Sequence, residues 1–166
     1  MQTYSPPLRD MRFVLHEVLK AEECLSGLEG FEEVNEELLD TVLDEAGKIF
    51  EEVVFPTNVA GHREGCKLEN GRVTTPTGFK EAYDALVEGG WFALSAEPEY
   101  GGQGLPETLT FLFDEMFCSA NMALSLYPGL THGAYIALRS HASESLKSTY
   151  LPKMVSGEWT GTMCLT

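Results

Sequence analysis

Apolar residues recur at three- and four-residue steps along most of this chain, which is the spacing of one face of an α-helix. Near the amino terminus, the first such stripe predicts a short helix and consists of Leu8, Met11, Leu15, Val18 and Leu19. A longer stripe runs from about Glu33 to Val54, with most of the local acidic residues on its other face. It predicts a long amphipathic helix, which we expect Pro56 and Gly61 to kink or end.

Four more helices are predicted in the rest of the chain. One runs from about Thr77 to Glu88 and stops at a pair of glycines. The stretch from Glu107 to Tyr127 carries apolar residues on several faces, so it predicts a buried central helix. Another helix follows over about 130–141, and Ser143 is the expected N-cap of the last one.

Extended structure is predicted in one place only, the stretch 159–166, where apolar and polar residues alternate. Asn70 and Gly71 are typical of a tight turn within a short irregular segment. The predicted fold class is therefore all-α, a helical bundle that ends in the first strand of a further, truncated unit.

The balance of charge narrows the possible functions. The 166 residues include 26 Asp and Glu against 11 Lys and Arg, giving a formal net charge of −15. Nucleic acids and anionic lipid surfaces would be repelled, so neither is an expected partner. Because 43% of the residues are hydrophobic, the chain is too apolar for a disordered acidic tail.

The expected cellular location is inferred from the spacing of the cysteines and from the absence of targeting signals. The four cysteines are widely separated and form no metal-binding or disulfide-rich cluster. No stretch approaches the ~20 apolar residues of a membrane span, and the start does not look like a secretion signal. We therefore expect a cytoplasmic protein with reduced thiols.

No catalytic or metal-binding motif is complete in the sequence. His16 and Glu17 begin a zinc-protease pattern, but Lys20 occupies the position of the second histidine. The glycine-rich segment 101–104 lacks the spacing of a phosphate-binding loop, which favours a tight turn. Taken alone, the residues indicate an acidic helical domain without its own catalytic group and without a metal.

Gly129 and Gly133 are four residues apart and therefore share one face of a helix. Two interpretations remain open for that face. It could allow close packing of another helix, or it could leave space for an apolar ligand chain.

Four segments, in their order and spacing, resemble one family. They are YSPPLRDMRFVL (4–15), GWFALSAEPEYGGQG (90–104), YLPKM followed by SGE (150–158), and MCLT (163–166). Together they resemble the amino-terminal helical domain of flavin-dependent acyl-CoA dehydrogenases. The first segment is similar to the extension found in the branch that resembles 3-methylmercaptopropionyl-CoA dehydrogenase. The resemblance covers essentially the whole chain.

The resemblance implies an organisation and a reaction. Residues 1–31 would be an amino-terminal extension, 32–158 the helical domain and 159–166 the start of a middle β-domain. The chain would then be a fragment of an enzyme of about three domains. That family oxidises the α,β bond of an acyl-CoA with FAD as hydride acceptor. Its catalytic base lies in a later domain, so no catalytic residue is expected here and the isolated chain is expected to be inactive.

The resemblance also implies binding residues and partners. Contacts to the FAD ring would come from Met163, Leu165 and Thr166. The acyl chain of the acyl-CoA substrate would be faced by Ser125, Gly129, Leu130 and Gly133. An electron-acceptor flavoprotein and assembly into a homo-oligomer are expected of the full-length protein. Two alternatives stay open, an acyl-CoA oxidase of the same architecture and a non-catalytic acidic module that recruits a basic partner.

Overall fold

The computed structural model describes residues 3–162 and residue 164, and these form a helical bundle with a short β-hairpin. The α-helices are α1 (Leu8–Arg12), α2 (Ala21–Leu25), α3 (Glu36–Ile49), α4 (Phe55–Glu64), α5 (Phe79–Glu88), α6 (Glu107–His141) and α7 (Glu144–Val155). Short 3-10 turns cover Trp91–Ala93 and Pro98–Tyr100. The predicted all-α class is confirmed. None of the helices in the described residues is both long and apolar enough to cross a membrane.

Two π-helical segments extend the helices of the first half. The segment Phe13–Val18 continues α1, and Phe50–Val54 joins α3 to α4. The long helix does not end at Pro56, which is one of the two outcomes expected there, because the chain remains helical to Glu64; a wider π-helical turn lies just before the proline. Gly61 also lies inside α4. A Cβ there would meet the Phe79 ring at 2.7 Å, so any larger residue would displace that ring.

A two-stranded antiparallel hairpin follows α4 and consists of β1 (Lys67–Glu69) and β2 (Arg72–Thr74). Asn70 and Gly71 have φ values of 51° and 75°, so the predicted tight turn is confirmed. The prediction that extended structure occurs only over 159–166 is therefore wrong. Both strands are fully exposed, so they show none of the apolar alternation that reveals a half-buried strand.

The described part of the predicted carboxyl-terminal strand is irregular, because residues 159–162 are in no strand. The remaining residues of that prediction, Met163, Leu165 and Thr166, lie outside the described residues.

Helix α6 turns back on itself at Asn121. The Glu107 carboxylate lies 2.8 Å from the His132 ring, whereas a straight helix would separate these residues by about 37 Å. Asn121 has non-helical dihedral angles, φ −157° and ψ 90°. The two resulting arms, 107–120 (the first arm) and 122–141 (the second arm), therefore lie side by side.

The Asn121 side chain holds this corner. Its Oδ1 accepts a hydrogen bond from the backbone N–H of Leu124 at 3.1 Å, and its Nδ2 donates to Thr57 Oγ1 at 2.9 Å. Asn121 thereby acts as an N-cap for the second arm. The predicted break between residues 127 and 130 is wrong, because Pro128 lies within the second arm and the chain stays helical around it.

The core lies between α3, α5 and the first arm. Phe50 is fully buried, and its ring centroid lies 4.8 Å from that of Phe113 and 5.3 Å from that of Phe117. The Trp91 ring also stacks on Phe113, with the ring centroids 5.6 Å apart. Aromatic contacts of this kind fix the first arm against the rest of the bundle.

The amino-terminal extension is held on α3 by charged groups. The Arg12 guanidinium donates to Asp40 at 2.9 Å and to Asp44 at 2.6 Å. His16 lies between the carboxylates of Glu22 and Asp40. Partial burial lowers the pKa of His16, but hydrogen bonds to both carboxylates outweigh it and leave the pKa above its ordinary value. These polar contacts add to the burial of Met11 and Leu15 in the core, and together they anchor this segment.

Candidate functional site

A cavity of about 120 Å³ lies between the two arms of α6. The first arm contributes Thr110, Phe113, Asp114 and Phe117. The second arm contributes Ser125, Pro128, Gly129, Thr131, His132 and Tyr135. Side chains from α5, from the segment that follows it and from the end of α7 close the remaining sides. The wall is mostly apolar with a few polar groups, which is typical of a small-molecule site.

Two tyrosine hydroxyls fix the wall segments. Tyr83 donates to the carbonyl of Gly157 at 2.9 Å, which ties α5 to the end of α7. The Tyr135 hydroxyl accepts from the backbone N–H of Glu97 at 2.9 Å, which ties the second arm to the loop after α5. Burial raises the pKa of both tyrosines, so both remain neutral hydrogen-bonding groups at physiological pH.

Several polar groups of the cavity lie near the contact between Glu107 on the first arm and His132 on the second arm. The His132 ring contacts Glu107, and Asp114 lies on the same wall. Burial raises the pKa of Asp114, the negative charge of Glu107 raises it further, and His132 opposes both. These groups can offer hydrogen bonds to a bound molecule.

The residues expected to face an acyl chain fall into two groups. Ser125 and Gly129 line the cavity. Leu130 and Gly133 lie on the same arm but outside the cavity wall, and Leu130 is 42% exposed. The structure thus brings two of the four together at the cavity.

An exposed strip runs along the second arm, and we call it the open stripe. It consists of Met122, Leu126, Gly129, Leu130, Gly133 and Ile136. A Cβ placed on Gly129 or Gly133 would meet no atom within 4 Å. Among the described residues, no helix therefore packs closely on these glycines, although space for a ligand or for another part of a longer protein remains.

The three residues expected to contact FAD, Met163, Leu165 and Thr166, lie outside the described residues. The chain that leads to them lies against the second arm. The N–H of Gly161 donates to Thr131 Oγ1 at 3.0 Å, and a Cβ on Gly161 would lie 2.7 Å from that of Ala134. Gly161 is required by this close approach.

The glycine-rich segment 101–104 is a tight turn, as predicted. Each backbone N–H from Gly101 to Leu105 donates to a backbone carbonyl, at distances of 2.8 to 3.0 Å. A Cβ on Gly102 would lie 2.0 Å from the carbonyl oxygen of Ala96. Because these N–H groups are already bonded, the turn cannot also cradle a phosphate.

The sequence interpretation missed Thr110, Asp114 and Asn121. Thr110 and Asp114 are four residues apart and share one helical face, but the apolar residues around them hid that face. Asn121 is a preferred N-cap residue type, and this was the available signal for the corner.

Comparison with known proteins gives one family. The family model for the acyl-CoA dehydrogenase N-terminal domain matches residues 36–158, which is most of the chain.

Three curated relatives are also named as dehydrogenases of acyl-CoA substrates. A 3-methylmercaptopropionyl-CoA dehydrogenase of Ruegeria pomeroyi is 40% identical over 164 residues, covering 99% of this chain and 28% of that protein. A butyryl-CoA dehydrogenase of Syntrophomonas wolfei is 31% identical and covers 99% of this chain and 27% of that protein. A broad-specificity linear acyl-CoA dehydrogenase of Mycobacterium tuberculosis is 28% identical and covers 100% of this chain and 27% of that protein. This chain spans just over a quarter of their length, and it belongs to the acyl-CoA dehydrogenase family.

Proposed function

We propose that this chain is the amino-terminal helical part of an enzyme that oxidises an acyl-CoA thioester to the α,β-unsaturated product. Membership of the family supports this proposal, as do the dehydrogenase names of relatives that match nearly the whole chain. In this reaction the α proton passes to a carboxylate base and the β hydrogen leaves as hydride. The acyl group is oxidised, and FAD supplies the hydride acceptor when it is bound.

The described residues do not fit the phosphates of FAD by themselves. The N–H groups of the glycine turn are used internally, and the net charge of −15 opposes a diphosphate. We therefore assign the dinucleotide site and the catalytic base to the rest of the enzyme. Met163, Leu165 and Thr166 remain the proposed contacts at one edge of the flavin.

The proposed contribution of this domain is one wall for the acyl chain, formed by Ser125, Gly129, Leu130 and Gly133. The supporting observation is that the open stripe and the cavity meet on the second arm, at Gly129. An apolar chain lying there would be held by contacts that exclude water. Holding the substrate in one orientation is a large part of catalysis by such an enzyme.

The full-length protein is also proposed to be cytoplasmic, to form a homo-oligomer and to pass electrons to a flavoprotein acceptor. Resemblance to the family supports the proposed oligomer and electron acceptor, and the sequence features described above support the proposed location. An oxidase of the same architecture differs in passing the electrons to oxygen.

The test uses the full-length protein, purified and examined by absorbance spectroscopy. We expect a flavin spectrum that bleaches when an acyl-CoA is added without oxygen, and no bleaching with free coenzyme A as the control. Turnover with an artificial electron acceptor but without oxygen consumption would support a dehydrogenase over an oxidase. A full-length protein without flavin would contradict the proposal and favour the acidic interaction module.

A further inference from the structure

A histidine and two carboxylates meet where the amino-terminal extension contacts α3. One ring nitrogen of His16 and one carboxylate oxygen each from Glu36 and Asp40 lie within 4.8 Å of one another. Glu36 and Asp40 are one helical turn apart, so both side chains lie on the same face of α3. Within the part of the chain that the structure describes, these three residues are the one group of this kind close enough together to hold a metal ion.

The ring of His16 is oriented by a fourth residue. Its Nδ1 contacts the Glu22 carboxylate, and its Nε2 lies 3.1 Å from Asp40 Oδ1. When the neutral ring donates its Nδ1 proton to Glu22, the lone pair of Nε2 is on the side of Asp40. Histidine ligands of metals are commonly held in this way, by a carboxylate that accepts from the other ring nitrogen. His16 is therefore positioned to bind a metal through Nε2.

The distances fit a zinc ion. Zinc binds imidazole nitrogen at about 2.0–2.1 Å and carboxylate oxygen at about 2.0–2.2 Å, so two of its tetrahedral ligand atoms are about 3.4 Å apart. His16 Nε2 and Asp40 Oδ1 would have to separate by only a few tenths of an ångström. Glu36 has farther to move, but its side chain is exposed and is held by no ion pair among the described residues. Water can complete the fourth position.

The charges around these ligands favour a cation. The carboxylates of Glu22 and Asp44 lie beside the group, which brings four negative side chains together. Arg12 repels a cation, but it is already bonded to Asp40 at 2.9 Å and to Asp44 at 2.6 Å. A single guanidinium neutralises only one of the four carboxylates. A divalent ion would offset most of the charge that remains.

The mixture of ligand types selects the metal. Mg²⁺ and Ca²⁺ prefer six or more oxygen ligands, whereas zinc accepts imidazole and carboxylate together at low coordination number. Because His16 and Asp40 are 24 residues apart, no linear motif marks this site in the sequence. It forms only when the extension packs on α3.

We propose that His16, Glu36 and Asp40 bind a zinc ion, which fastens the amino-terminal extension to α3. The ion would be structural, and none of its three ligands lines the cavity between the arms of α6. The proposal goes beyond the proposed function and does not depend on it.

The experiment uses the full-length protein, stripped of metal with a chelator and titrated with zinc by calorimetry. Glu36→Gln removes one ligand charge from an exposed side chain and should weaken zinc binding at least about tenfold. Glu37→Gln is the matched control, because Glu37 is the next residue of α3, is also exposed and is not in the group. It should bind zinc as the parent protein does. Mg²⁺ should not compete with zinc for the site.

His16→Gln provides a second variant and should weaken zinc binding by a similar factor. It also removes the contacts of His16 with Glu22 and Asp40, so its thermal melting is measured alongside. Hydrogen exchange locates the ion. Zinc should slow deuterium uptake over residues 8–19 in the parent protein and in Glu37→Gln, but not in Glu36→Gln.

Three results would each overturn the proposal. They are no zinc binding by the parent protein, equal zinc affinity in Glu36→Gln and Glu37→Gln, and zinc binding that leaves the exchange of residues 8–19 unchanged. The bleaching of the flavin by an acyl-CoA tests the proposed function separately, so either idea can fail while the other stands.

Discussion

The two arms of α6 are continuous in the chain but are packed differently. Five apolar side chains of the first arm are at most 4% exposed: Leu109, Phe113, Met116, Phe117 and Ala120. Five of the second arm are between 42% and 68% exposed: Met122, Leu126, Tyr127, Leu130 and Ile136. Apart from Phe111, which is 69% exposed, the large apolar side chains of the first arm therefore stabilise this domain, whereas much of the second arm exposes apolar surface.

A contiguous exposed apolar strip on a folded domain is typical of a surface that binds a partner or a ligand. In the proposed enzyme, the remaining three quarters of the protein and the acyl chain would cover the open stripe. The comparison thus separates residues that matter for folding of this domain from residues that matter in the complete protein.

The largest expected effect comes from a matched pair of methionines. Met116 is 0% exposed on the first arm and Met122 is 59% exposed on the second. Met116→Ala should cost about 2–5 kcal/mol in the isolated domain because it leaves a cavity. Met122→Ala should change the free energy of unfolding by less than about 0.5 kcal/mol. Denaturant titration of both variants measures these costs.

The same pair can be compared in the full-length protein. There Met122→Ala should become more costly, since the proposal covers the open stripe. If both substitutions lowered the free energy of unfolding of the isolated domain equally, the two arms would be packed alike, which would contradict the difference described above.

The next-largest loss of stability is expected from a substitution at the corner between the arms. Asn121→Ala removes the cap on Leu124 N and the bond to Thr57, and should destabilise the domain by about 1–3 kcal/mol. Asn35→Ala, at the cap of α3, provides a control with a solvent-exposed capping bond and should cost less. Thermal or denaturant unfolding of both variants tests this order.

A glycine on the open stripe and a closely packed glycine outside α6 should respond with opposite signs. Gly133→Ala on the open stripe meets no atom, so it should stabilise the isolated domain by about 0.5–1 kcal/mol through higher helix propensity. Gly61→Ala, inside α4, would meet the Phe79 ring and should destabilise it. A loss of stability in Gly133→Ala would contradict the finding that nothing in this domain packs on Gly133.

The full-length enzyme offers a separate test at Gly133. Gly133→Leu should reduce kcat/KM more for a long acyl-CoA than for a short one if this face contacts the acyl chain. Equal losses for both substrates would remove Gly133 from the proposed acyl wall.

The smallest expected effect depends on pH and concerns Asp114, between the arms. Asp114 is exposed at the surface, but packing around its carboxyl partly desolvates it and raises its pKa in the folded state, so the folded state binds the proton more tightly than the unfolded chain does. Stability is therefore lost as the pH rises from the ordinary carboxyl pKa of 3.8 through the folded value. Asp114→Asn should raise the melting temperature at neutral pH, and the gain should vanish at acidic pH.

Glu115→Gln is the control for removing one negative charge from this acidic chain, since Glu115 is the next residue of the same arm, is exposed as Asp114 is, and does not line the cavity. If Glu115→Gln stabilises the domain as much as Asp114→Asn does, the effect comes from net charge and not from the position of Asp114 at the cavity.

Local sequence patterns predicted the parts of the fold that local forces determine. The helix over 77–88 and the one beginning after Ser143 are present with nearly the predicted bounds, and the Asn70–Gly71 turn is present as well. Each depends on residues close together in sequence, such as caps, glycines and one apolar stripe.

The corner at Asn121 could not be predicted in the same way. Its side chain bonds Thr57, which is 64 residues earlier, so the energy that fixes it depends on the tertiary structure. The cavity depends on that corner, because Thr110 and Gly129 line the same cavity only when the arms fold back. The sequence therefore indicated the second-arm residues Ser125 and Gly129 without revealing the first-arm wall opposite them.

The tight glycine turn has a consequence for hydrogen exchange. Loops usually exchange their amide protons quickly because those protons face water. Here five consecutive amides, from Gly101 to Leu105, are bonded to backbone carbonyls, some of them exposed at the surface. We expect their deuterium uptake to be as slow as that of a helix, and Gly102→Ala, which forces the turn away from Ala96, should release all five together. This loop would then report opening of the domain more faithfully than a terminus does.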